Sequence, residues 1–174
     1  MAMASAVAAA LTVGFLLASD AGGATVPQFA GEYPTSVKIL IDTTKSPLPV
    51  GMTSVRTWLF APRCAAASCS TLLLRPSIIP GRSLVFAYEL HRIAVNLYRA
   101  TLDVPDGCVG PTKVFPFGSV IDHEVITLRP TRVRGLRIVA FSGTMAIAFV
   151  SSLAGKAHGC FVHAYQEAKV QSPA

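Results

Sequence analysis

Asp122, His123 and Glu124 stand side by side, an acid, an imidazole and a second acid, the mixture that proton transfer or metal binding uses. Their spacing argues against a shared site. Neighbouring side chains of an extended segment point to opposite faces, so the three cannot converge from a regular strand, and their ordinary role is a polar strand entry. His158, Cys160 and His163 hold the residue types of a zinc site. A structural zinc site takes four ligands at paired spacings, however, and Cys64 with Cys69 is not a Cys-x-x-Cys pair. His91 has no partner nearby in sequence. The chain has no Gly-x-Ser-x-Gly elbow for a nucleophilic serine and no phosphate-cradling glycine loop ahead of a helix. A glycosidase would need two of the nine acids to meet in space, and nothing in the spacing nominates a pair. The residues therefore read as those of a non-enzymatic protein, with no catalytic residue, no cofactor and no metal expected.

Arg129, Arg132, Arg134 and Arg137 form the densest basic group. Arg132 and Arg134 share one face of an extended segment, where two guanidinium forks suit phosphate, sulfate or carboxylate. The formal net charge is +6, which favours anionic partners, here an acidic envelope polymer or lipid headgroups. Nucleic acid is not expected, because an exported protein meets little of it and the aromatic residues are not interleaved with the arginines.

Export is read from the amino terminus. An apolar run over 6–18 is followed by small residues ending at Ala21 or Ala24, the pattern of a secretory signal peptide spanning 1–24. The run lacks a preceding Lys or Arg and stops short of the roughly 20 apolar residues that a membrane-spanning helix needs. Residues 25–174 are then one secreted domain. Four cysteines in an exported chain read as two disulfides. Of the three connectivities, Cys64 with Cys69 and Cys108 with Cys160 is expected, because the first pair is local and the second is what remains.

These residues must be positioned by strands. Hydrophobic residues make up 52% of the chain and charged ones 14%, the balance of a globular domain. Around the first two cysteines, Trp58 and Phe60 share one parity; beyond them Leu72 and Leu74 face one way, with Thr71 and Arg75 flanking. This period-2 pattern predicts a hairpin clipped by Cys64 and Cys69. Further strands are predicted over 37–42, 83–90, 98–104, 124–134, 138–150 and 160–169, with Ile126 and Leu128 inward in the fourth of these. In the fifth, Val139, Phe141, Met145, Ile147 and Phe149 share a face and Gly143 implies a bulge. Residues 28–36 read as a lead-in and 104–118 as irregular. About eight strands with one apolar face each predict an all-β domain, a single antiparallel up-and-down barrel of the lipocalin-like or avidin-like kind, with a β-sandwich as the alternative. Such a barrel is either filled by side chains or holds one small ligand. Trp58, Phe60, Phe86, Tyr88, Tyr98 and Phe141 are assigned to its core.

Taken together, the export signal, the Thr-Trp-Leu-Phe-x-Pro-x-Cys-x4-Cys segment over 57–69, the Tyr98-x-Ala100 strand, the isolated Cys108 and Gly143-Thr144 ahead of Cys160 resemble a group of uncharacterised secreted or surface-attached β-domains from high-GC Gram-positive bacteria. Where the fuller pattern has a glycine between the first two cysteines, this chain has Ala-Ala-Ala-Ser. The resemblance implies an extracytoplasmic β-rich domain and brings no catalytic residue or ligand with it. The leading expectation is a secreted or cell-envelope domain that binds at the cell surface. A carrier of a small apolar ligand in a barrel cavity is the alternative, and a hydrolase the third reading. An open interior of about 300 Å³ or more separates the second from the first.

Overall fold

Strands that are apolar on one face and polar on the other bury the first face together by curling their sheet shut. A computed structural model of the chain describes residues 26–44, 48–65, 68–78, 83–109 and 114–173; the expected signal peptide over 1–24 lies outside the described residues. Eight antiparallel strands follow one another around a closed barrel: β2 (Gly31–Asp42), β3 (Thr53–Ala65), β4 (Ser68–Pro76), β5 (Val85–Ala94), β6 (Leu97–Val109), β7 (Val114–Arg134), β8 (Arg137–Ser151) and β9 (His163–Gln171). Each pairs with the next, and β9 pairs with both β8 and β2, which closes the ring. A two-residue strand, β1 (Gln28–Phe29), lies parallel to the start of β8. One short helix, α1 (Leu153–Ala157), joins β8 to β9, with the Ser152 hydroxyl accepting from the Gly155 N–H at its start. The architecture is the up-and-down barrel, not the sandwich.

The two ends of the barrel differ. The β3–β4, β5–β6 and β7–β8 hairpins mark one end, and there the interior is filled. Phe29 stacks on Phe60 with ring centroids 4.7 Å apart and meets Tyr98 edge-on at 5.0 Å. Tyr33, Trp58 and Phe141 pack around them, all buried. Residues 28–36 are thus no lead-in. Phe29 is the plug of this end, Gly31 turns the chain out of it at φ +93°, and Tyr33, Thr35 and Val37 alternate inward along β2. A proline and several polar residues masked that period of two.

Three more expectations are corrected by register. Leu73, not Leu72 or Leu74, is the buried leucine of β4, in line with Thr71 and Arg75. Cross-strand partners share a face, and Leu73 sits opposite the buried Phe60. The strands β6 and β7 run through most of the segment read as irregular, absorbing Pro105 and Gly107 by register shifts at Asp106 and Gly107. Along β8 the bulge lies opposite Pro130 to Val133 rather than at Gly143. It moves the buried parity from Ile138 and Ala140 to Phe141 and Met145, which leaves Val139 on the other side. Gly143 serves close approach instead: a Cβ there would stand 2.0 Å from the Thr127 carbonyl oxygen of β7.

The disulfides are Cys64–Cys69 across the β3–β4 hairpin and Cys108–Cys160, which ties β6 to the connection before β9. Gly143→Ala is expected to lower stability by about 3 kcal/mol, the upper end for inserting a methyl group into a packed site, as measured by urea denaturation. A loss under about 0.5 kcal/mol would show that β7 and β8 have room to separate.

Candidate functional site

At the other end, where β2 ends, β3 begins and α1 lies, the barrel interior holds charge. The register that turns Leu73 inward also turns Arg75 inward, and its side chain is 2% exposed. Its Nη2 lies 2.6 Å from Glu124 Oε2 on β7, across the interior. Nε and Nη2 also donate to the Tyr88 hydroxyl on β5, at 3.0 and 2.6 Å, and that hydroxyl donates in turn to Glu124. The Phe86 ring, cross-strand from Arg75, lies 4.6 Å from the guanidinium carbon. Burial pushes the Tyr88 hydroxyl up, opposed by Arg75 and reinforced by Glu124, so it stays protonated and keeps its donor role.

Arg75, Phe86 and Glu124 of this cluster line an open cavity of about 610 Å³. Ile78, Phe86, Val120, Ile147 and Phe149 make apolar walls, and Asp106, Phe161 and His163 stand at the rim. Asp42 at the end of β2 also lines it but is fully engaged: its carboxylate accepts from Thr44, from the Leu48 N–H at 2.9 Å and from the Gln166 amide at 2.7 Å. Burial works to raise its pKa, and those hydrogen bonds outweigh it and hold the carboxyl below its ordinary value.

Asp122 differs. It precedes Glu124 by two residues and so shares its face, lining the cavity, while Oδ1 is buried without a hydrogen-bond partner. Burial first, then the negative charges of Asp106 and Glu124, push its carboxyl up to about 7. Such a group can give a proton to, or take one from, a bound molecule at neutral pH, whereas Glu124 is committed to Arg75 and Tyr88.

The alternation that separates Asp122, His123 and Glu124 thus expels only the histidine. His123 lies on the outer surface, its Nδ1 2.5 Å from Asp103 Oδ1. Cys160 is in its disulfide, and among the described residues no three His, Cys, Asp or Glu side chains are grouped to hold a metal ion. His91 is exposed, 3.8 Å from Glu89. Arg129, Arg132, Arg134 and Arg137 are exposed on the β7–β8 hairpin, at the end away from the cavity, with Arg134 opposite Arg137. Reading the sequence alone missed Arg75, Tyr88 and Glu124 as a unit. The available signal was a charged residue on the apolar parity of a strand, as Glu124 stands before Ile126 and Leu128. Compared with protein-family models, curated proteins and solved structures, the chain matches none.

Between pH of about 4 and about 7 the folded protein keeps a proton on Asp122 that the unfolded chain has released, so this group's contribution to stability is full below that window and is lost as pH rises through it. Asp122→Asn is expected to be more stable than the parent at pH of about 8, by roughly 1–2 kcal/mol once solvent access to the carboxyl is allowed for. Near pH of about 3.5 the advantage should vanish. Urea denaturation at both values checks it, and an equal difference at the two would refute the assignment.

Proposed function

We propose that the protein is a small-ligand-binding barrel that takes an amphipathic molecule into the open half of its interior. The observation that carries this reading is the cavity of about 610 Å³, set between a polar floor and apolar walls. Ligand sites commonly occupy roughly 300–1,000 Å³ with a few placed polar groups on a mostly apolar lining. The aromatic plug supports a binding role too, since it leaves one mouth and one direction of entry. Two disulfides suit an oxidising compartment, and among the described residues no helix is long and apolar enough to cross a membrane; we read the protein as extracytoplasmic. The uncharged dye Nile red is expected to bind at a single saturable site with a rise in fluorescence. Ala164→Trp, which puts an indole into the cavity from a partly buried position, should weaken that binding by about tenfold or more. Absence of saturable binding would count against the reading.

A second proposal rests on the exposed arginines of the β7–β8 hairpin. Their place at the end opposite the mouth would let the protein sit on an anionic envelope polymer or on lipid headgroups with its cavity free. Exposed charges are screened beyond about 8 Å at physiological salt, so retention on anionic liposomes should fall as salt rises. It should fall further in the Arg132→Ala, Arg134→Ala double variant. Equal, salt-insensitive retention of both proteins would reject this.

A further inference from the structure

The charges around the cavity are either engaged with protein partners or exposed at its rim, with one exception. On β2, Asp42 is saturated by Thr44, Leu48 and Gln166. On β3, Arg56 is turned to the Ser77 carbonyl at 3.3 Å and does not reach the lining. On β4, Arg75 is consumed by Glu124 of β7 and by Tyr88 of β5. On β6, Asp106 stands exposed at the rim, where its Oδ1 accepts from the Gly107 N–H at 2.7 Å. His163, at the start of β9, is exposed at the mouth. The group left over is Asp122, aimed at the cavity with one buried oxygen unpartnered.

We propose that the ligand of this cavity carries a protonated amine, with the Asp122 carboxylate as its counter-ion and its apolar portion against Phe86, Ile147 and Phe149; this rests on the reading of the cavity as a ligand site. The field argues for the sign. Among the described residues, four acids, Asp42, Asp106, Asp122 and Glu124, line the cavity, against one arginine, Arg75, and no lysine. Arg75 is already cancelled by Glu124, so a bound anion would meet Asp122 and Asp106 with no unspent lysine or arginine among the described lining residues. Burial comes first in making Asp122 hold its proton, and the negative charges of Asp106 and Glu124 add to it; those two charges would favour an ammonium group as well. An alcohol can offer Asp122 one hydrogen bond; an ammonium offers three donors and cancels the charge. The apolar walls shelter the rest of such a molecule and keep water from competing for the pair.

The dependence on pH follows. As pH rises through Asp122's ionisation near 7, the carboxylate becomes available without expelling a proton, so affinity for an amine should rise while affinity for an alcohol of equal length should not. The test is titration calorimetry of the full chain with octylamine, 1-octanol and octanoate at pH of about 8 and about 5.5. At the higher pH octylamine is expected to bind about tenfold or more tightly than either competitor, the usual worth of a charge-assisted hydrogen bond. The margin should shrink at the lower pH. Asp122→Asn should bring octylamine down to octanol while Nile red binding persists, and Asp106→Asn at the exposed rim should reduce the margin by about twofold to threefold. If octanol or octanoate matches octylamine, if octylamine fails to bind where Nile red does, or if Asp122→Asn keeps the full preference, the amine inference is overturned and the ligand-binding reading stands. Failure of all three probes and of Nile red would remove both.

Discussion

An ionised arginine and an ionised glutamate cannot be carried into an apolar barrel separately, since each would lose its hydration with nothing in return. Arg75 and Glu124 enter together, from strands that are not neighbours, and the Tyr88 hydroxyl bridges them. The consequence reaches well beyond the pair. Removing one partner would strand a buried charge, an error on the order of 3–5 kcal/mol, so register in β4, β5 and β7 is held to the one arrangement that brings all three together. A one-residue slip in any of those strands would send its member of the cluster to solvent.

The same cluster divides the interior. Beyond it, toward the hairpin end, an eight-strand circumference is just narrow enough for side chains to fill, and Phe29, Tyr33, Trp58, Phe60 and Phe141 do so. On the other side the strands carry smaller or more polar inward residues and are joined by longer connections, so the space stays open. The Cys108–Cys160 disulfide closes a separation of 52 residues at that open end, against 5 for Cys64–Cys69. Chain entropy assigns it about 4 kcal/mol against about 2 kcal/mol. The stronger tether thus sits at the end that has less packing of its own.

Charge is segregated along the barrel. Asp106 and Asp122 face the open interior while arginines crowd the β7–β8 hairpin at the far end. Among the described residues the cavity lining of this basic protein is acidic, so the net charge of the chain does not set the sign of its ligand. The two features propose two separate tasks, attachment through one end and uptake through the other, and neither requires residues of the other.

What the sequence determined by itself was the class of structure. Period-2 alternation around Trp58 and Phe60, along 83–90 and 98–104, and in Ile126 and Leu128 is a local property, because each strand buries one face whatever its neighbours are. Strand count, barrel closure and the pairing of Cys108 with Cys160 could be read from it. Which parity β4 buries could not, because Leu72, Leu73 and Leu74 offer apolar residues to both faces and only pairing with β3 chooses between them. The candidate site hung on that choice. Turning Leu73 inward carries Arg75 in, and closing the barrel brings it to Glu124, 49 residues away; the same face of β7 then delivers Asp122 to the cavity. Sequence spacing showed why Asp122, His123 and Glu124 could not all act together and set Asp122 and Glu124 on one face, whereas only tertiary closure brought Arg75 and Tyr88 to that face, because convergence across a barrel depends on register summed over several strands and not on any one of them.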